Sequence, residues 1–92
     1  SLGVSVLVLE CIPSDLAKTI SEKLTIPTIG IGAGVHCDGQ VLVSYDMLGI
    51  TTGKQPRFVR NFLSNQITIS DAVESFVLEV KEGRFPSESE SY

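Results

Sequence analysis

The residues 4–9, Val-Ser-Val-Leu-Val-Leu, are apolar at nearly every position and end on a carboxylate, Glu10. A charge at the lip of a core is costly unless it is paired, solvated or used. Set among apolar neighbours, Glu10 is a candidate general base or acid. The competing reading is a carboxylate that caps a helix terminus or pairs with a lysine, and position alone does not separate the two. A second candidate is the glycine-rich stretch "GIGAG", residues 30–34. Turns of this composition let backbone N–H groups approach an anion. The dinucleotide fingerprint would need glycine at position 35, which is Val35, and the Gly-Lys-Ser/Thr of a phosphate loop is missing. A turn that lets the chain pass close to its neighbours fits as well. Asp46 is either a second acid, a helix N-cap or a partner for Lys54, with capping the simplest. His36, Cys37 and Asp38 are consecutive, and adjacent residues seldom converge on one ion, so no metal site is expected there.

These side chains need elements to hold them. The apolar run reads as a strand buried on both faces. Pro13-Ser14-Asp15 then starts a helix with Ser14 as the expected N-cap and Asp15 in its first turn. Leu16, Ile20 and Leu24 recur at four-residue spacing, with Ala17 beside them, so one face of this helix is buried. Pro27 closes the linker, and Thr28, Ile29 and Ile31 begin a second strand. Strand, amphipathic helix and strand in this order make a βαβ unit with parallel strands. Such a unit puts Glu10 at the strand end where α/β folds build their sites. Asp38-Gly39 signals a turn, and Val41, Leu42 and Val43 favour a third strand, although a short buried helix would show the same run. Gly49 and Gly53 mark a loop. Pro56 suits the first turn of another helix, with Phe58, Val59, Phe62 and Leu63 as its apolar edge. A last helix spans residues 70–82, with Ile69, Val73, Phe76, Val77 and Val80 on one side and Gly83 as its stop. The acidic tail, residues 84–92, reads as extended or disordered.

Composition narrows the function classes. The chain has 92 residues, 42% hydrophobic, with a net charge of −4 from 7 basic and 11 acidic side chains. Nucleic acid is an improbable partner for so acidic a chain. Lys54, Arg57 and Arg60 form its one basic cluster, read as a solvated helix face. Two cysteines and one histidine make neither a disulfide framework nor a metal-ligand set, which fits a reducing, cytoplasmic compartment. No run approaches the roughly 18 apolar residues of a membrane span. The chain opens on Ser1, almost directly on a strand, and reads as an excerpt of a longer protein.

Taken together, "VLECIPSDLA", "IPTIGIGAGVHCDGQVLV", "DMLGI", "PRFVRNF" and "EGRFPSESES" resemble the C-terminal part of the ketopantoate (3-methyl-2-oxobutanoate) hydroxymethyltransferase family. The resemblance runs through nearly the whole chain, in order. It implies that residues 1–92 are the last third of a (β/α)8 TIM barrel of the phosphoenolpyruvate/pyruvate type, with parallel strands and amphipathic helices. The implied reaction moves a hydroxymethyl group from 5,10-methylenetetrahydrofolate to 3-methyl-2-oxobutanoate, giving 2-dehydropantoate on the way to pantothenate. The family's proton acceptor is the Glu of its "L-E-C-[VI]-P" motif, which falls on Glu10. Gly32, Ala33 and Gly34 would lie at the mouth, near the substrate. Magnesium is implied as well, with its ligands on earlier strands outside this chain. A homo-oligomer, commonly a decamer, is implied too, and the helix over residues 70–82, with Phe76, Val77 and Val80, is the segment nominated for subunit contact, the alternative being that it packs on its own chain. The chain departs from the family pattern in two places: Tyr45 stands where many members have His, and Glu90 and Tyr92 stand in the tail, which typically carries a His.

The rival expectation is a non-catalytic α/β module that uses its open sheet and helices for protein association. Three strands cannot close a barrel, so the open edges must be covered by something.

Overall fold

Residues 3–92 are described by the computed structural model. Three short parallel strands form one sheet in the order β1 (Leu7–Glu10), β2 (Thr28–Ile31), β3 (Gly39–Gln40). Helix α1 (Ser14–Lys23) makes the crossover between β1 and β2 and packs on one face of the sheet. The expected βαβ unit is therefore present. Its cover is one-sided, however: Leu9 is 8% exposed but Val8 is 58% exposed. Successive strand residues alternate faces, so Leu7 and Leu9 meet α1 while Val6, Val8 and Glu10 lie on the other face. The expectation of a strand buried on both faces is corrected, because no layer within the described residues packs against that second face.

Helix α1 also departs in detail. Its N-cap position is Pro13 and not Ser14, and no side chain caps it. The Pro13 carbonyl accepts from Ala17 N–H at 3.0 Å, and the fixed φ of proline suits that entry. Fully buried Ala17 and half-buried Ile20 form the packed stripe, while Leu16 and Leu24 stay exposed. A small residue at 17 lets the helix lie close to Ala33, which is equally buried.

The connection from β2 to β3, residues 32–38, contains no helix. Parallel strands usually need a crossover of a dozen residues or more. Here the chain achieves it by lying flat against its surroundings, which is why glycine recurs. Gly34 has φ +84°, and a Cβ there would stand 2.2 Å from Ser14 Cβ. A Cβ on Gly30 would stand 2.9 Å from Cys37 Sγ.

Pairing of β3 stops at Gln40, not in the expected Val41–Val43 run. Val41 N–H still reaches the Gly30 carbonyl at 3.0 Å. Beyond it β2 has turned away at Gly32, so no ladder partner remains. Leu42 drops instead into a second core, and Val41 and Val43 stay exposed. Helix α2 (Ser44–Met47) follows, with Val43 at its N-cap position. Asp46 thus lies inside its first turn and does not cap it.

The second core gathers Leu42, Met47, Phe62, Ala72 and Phe85. Phe62 meets Phe76 and Phe85 edge to face at centroid distances of 5.4 and 5.2 Å, an arrangement that adds to simple burial. The expected helix from Pro56 is absent; the segment runs through turns. Asn61 Oδ1 accepts from Leu63 N–H at 2.9 Å, and the Asn61 carbonyl accepts from the Ser64 hydroxyl. Such local bonds offer the backbone an alternative to helix.

Helix α3 (Ile69–Lys81) starts one residue before the expected position, capped by Thr68 Oγ1, which accepts from Asp71 N–H at 3.1 Å. Phe76 and Val80 pack into the second core of this chain, and Ile69, Val73 and Val77 form the exposed side. The tail is neither extended nor loose. Phe85 and Pro86 are buried, and a 3-10 turn at Glu88–Glu90 carries a capping box between Ser87 and Glu90. Arg60 explains the order. Its guanidinium lies 5.2 and 4.9 Å from the Phe62 and Phe85 rings and donates to the Glu90 carboxylate at 2.9 and 2.7 Å. Arg57 donates to the Ser91 carbonyl and lies over the Tyr92 ring. Arg57 and Arg60 thus clasp the tail and do not form a solvated helix face, while exposed Lys54 makes no side-chain bond to the tail among the described residues. Among the described residues no helix is long and apolar enough to cross a membrane.

Candidate active site

Parallel pairing brings the C-terminal ends of the strands together. Glu10 is opposite Ile31, and Val8 opposite Ile29. Paired residues share a face, so the Glu10 carboxylate projects from the face carrying Val6, Val8, Ile29 and Ile31. That face is apolar apart from its one charge. Glu10 itself is exposed. Among the described residues it neither caps a helix nor meets a lysine or arginine, so neither structural use proposed for it is realised there.

The next residue turns the chain. Cys11 has φ +51°, alone among the described non-glycine residues in the left-handed region, a conformation that costs about 1–2 kcal/mol for an L-residue. Its N–H still donates to the Ile31 carbonyl at 2.9 Å, which ties the ends of β1 and β2. The reversal sends Ile12 back into the first core and leads Pro13 into α1. Glu10 is held at a strand end, between a ladder bond and a tight turn.

The opposite end of the sheet is locked by polar groups. Asp38 Oδ2 accepts from Thr28 N–H at 2.8 Å and from Thr28 Oγ1 at 3.2 Å, and Asp38 N–H donates back to Thr28 Oγ1. The Ser21 hydroxyl joins Thr28 Oγ1 at 2.7 Å. Asp38 is therefore spent on register, far from the strand ends that carry Glu10. Its neighbours diverge: Cys37 packs toward Gly30 and His36 is exposed. Among the described residues no three His, Cys, Asp or Glu side chains are placed to hold a metal ion. The residues present do not fit a magnesium site. Asp46 and Lys54 form no ion pair with one another among the described residues.

Gly32, Ala33 and Gly34 lie beyond the end of β2 and are all buried. Their crowding is by the chain itself. Gly34 abuts Ser14, and a Cβ on Gly32 would meet Phe58 Cδ2 at 2.9 Å and Cys11 Sγ at 3.3 Å. The close-passage reading of the glycine turn describes these contacts. Sequence patterns gave no sign that Phe58 would reach Gly32 or that Cys11 would adopt positive φ; both depend on residues distant along the chain.

A family model described as ketopantoate hydroxymethyltransferase matches residues 1–88. The chain belongs to that family. Over all 92 residues it is 61% identical to the 3-methyl-2-oxobutanoate hydroxymethyltransferase of Ruthia magnifica subsp. Calyptogena magnifica, covering 35% of that protein. With the protein of the same name from Neisseria meningitidis it shares 54% identity over 85 residues, 92% of this chain and 32% of the relative. A probable 3-methyl-2-oxobutanoate hydroxymethyltransferase of Schizosaccharomyces pombe is 51% identical over 90 residues, 98% of this chain and 34% of the relative. The chain thus spans about a third of the length of these ketopantoate hydroxymethyltransferase relatives.

Proposed function

We propose that this chain is the base-bearing part of a hydroxymethyltransferase acting on 3-methyl-2-oxobutanoate, with Glu10 as the general base. The observation that carries the proposal is a lone carboxylate, free of structural partners among the described residues, at the C-terminal end of a parallel strand on an otherwise apolar, uncovered face. Family membership supplies the reaction class, and the face supplies a place for it. In the proposed step Glu10 takes the C3 proton of the oxo-acid. The electron pair of that C–H bond becomes the enolate, whose carbon bonds to the methylene carbon of 5,10-methylenetetrahydrofolate. Both C–N bonds of that methylene break, and water supplies the hydroxyl oxygen. The two released nitrogens take up the C3 proton and one water proton, leaving 2-dehydropantoate and tetrahydrofolate. A carboxylate fixed between a ladder bond and a turn suits this work better than one on a mobile loop.

The uncovered face is proposed to line the interior of a (β/α)8 barrel completed by other parts of the protein, with residues 1–92 as its last strands and helices. The backbone of Gly32, Ala33 and Gly34 would shape the wall beside the substrate. Ligands for magnesium, which the resemblance implies, would have to come from outside the described residues. The exposed Ile69, Val73 and Val77 side of α3 supports a homo-oligomer in which this helix meets a neighbouring subunit. Exposed Val4, Val6 and Val8 also favour a second reading, a non-catalytic module that associates through its sheet.

One experiment separates the two. Exchange of the C3 proton of 3-methyl-2-oxobutanoate with deuterated solvent is followed by NMR in the full-length protein and in its Glu10→Gln variant. Exchange in the parent that falls to the uncatalysed rate in the variant is the expected result. Equal exchange in both would return Glu10 to a structural role.

A further inference from the structure

The long connection between β3 and α3 contains a loop whose ends meet. Phe62 N–H donates to the Met47 carbonyl at 2.8 Å, and both side chains are buried in the second core. Just inside this neck Gly49, at φ +72°, backs onto Asn61, where a Cβ would stand 2.3 Å from Nδ2. Residues 48–61 are therefore a closed Ω-loop, a class of compact surface loop that frequently serves function. Its tip is exposed from Gly49 to Lys54 and is tied to itself: the Gln55 amide donates to the carbonyls of Thr51, Thr52 and Gly53 at 3.3, 3.3 and 3.2 Å. Elsewhere its first residues bond back to Ser44, Tyr45 and Asp46, and Arg57 and Arg60 near its end tie it to the tail. One side chain leaves the loop for the sheet. Phe58 lays its ring on Gly32, whose other neighbour is the thiol of Cys11, the residue that follows Glu10.

We infer that this Ω-loop is a cover for the end of the sheet and that Phe58 is its water-excluding residue. The inference rests on the reading of Glu10 as a base and adds the group that decides what becomes of the proton-stripped substrate. Once the C3 proton has left, the enolate carbon has two fates. It can form a carbon–carbon bond with the one-carbon unit, or it can take a proton back from solvent and return to substrate. Expulsion of water suppresses such side reactions. An aromatic ring over the junction of β1 and β2 supplies an apolar surface where water would otherwise stand. Glycine at 32 is what lets the ring seat, since any side chain would collide with it.

The test uses the full-length enzyme in deuterated buffer with both substrates. Deuterium entering recovered 3-methyl-2-oxobutanoate is measured against product formed, in the parent and in the Phe58→Ala, Phe58→Leu and Glu10→Gln variants. The ratio of exchange to transfer is independent of how much enzyme is folded, so partial instability of a variant does not obscure it. Phe58→Ala is expected to raise the ratio several-fold, with Phe58→Leu between it and the parent. An unchanged ratio in Phe58→Ala would overturn the cover. Exchange that persists in Glu10→Gln would instead overturn the base assignment, and the ratio would still report on Phe58 separately.

Discussion

Gly34 shows how finely single residues set this site. Its positive φ and the 2.2 and 3.0 Å approaches that a Cβ would make to Ser14 Cβ and Cα leave no room for a side chain. Gly34→Ala is expected to cost ~2–4 kcal/mol, combining left-handed strain with overpacking against backbone. Gly83, at φ +71° with open space around it, carries the strain alone, so Gly83→Ala should cost ~1–2 kcal/mol. Denaturant titration of both variants in the full-length protein checks the contrast; equal losses would mean that the crossover yields around Ser14. At this scale the sequence was informative where chemistry depends on near neighbours. Glu10 stood out because the six residues before it are almost all apolar, and the glycine stretch because of its density. Cys11 and Phe58 did not, since their roles arise from contacts with Ile31 and Gly32, which local pattern does not encode.

At the scale of elements, hydrophobic period read correctly wherever packing agreed with it, whereas the expected side-chain caps, Ser14 and Asp46, do not form. Strand, α1 and second strand were legible in this way, as was α3 with Gly83 after it. The segment after Pro56 has a helical apolar edge, yet Asn61 satisfies its backbone locally and turns win. The tail was misread for a different reason: its order comes from Arg60, 30 positions from Glu90. Burial pushes the Glu90 carboxyl up, but hydrogen bonds from Arg60, then from the Ser87 N–H and hydroxyl, and the charge of Arg60 together hold it below the ordinary carboxylate value of 4.5. A folded-state value below the unfolded one stabilises fully above the unfolded value, and that contribution is lost as pH falls through the folded one. Glu90→Gln should therefore lower stability by roughly 1–2 kcal/mol near neutral pH. The gap between variant and parent should close as the pH drops below about 4.5. Melting curves from neutral to acid pH test this, and a gap that stays constant would show that the tail is held by Phe85 packing alone.

For the whole molecule, the decisive feature is the asymmetry of the sheet. One face carries α1 and the close-lying crossover; the other presents Val6, Val8, Ile29 and Ile31 around Glu10 with no layer over them among the described residues. Half-exposed valines in a row are poor surface for a soluble protein and prone to association. If the remaining two thirds of a protein like its relatives closes a barrel over this face, Val8 must be buried in the full-length protein and solvated in the 92-residue chain. Val8→Asp separates these states. In the full-length protein it should cost more than ~3 kcal/mol or prevent folding, because an unpaired carboxylate would enter the interior beside Glu10. In the isolated chain the same change should alter stability by less than about 0.5 kcal/mol and reduce self-association. Denaturation and sedimentation of both forms, with and without the substitution, make the comparison. A harmless Val8→Asp in the full-length protein would mean that the face stays open, and the barrel interior around Glu10 would have to be given up.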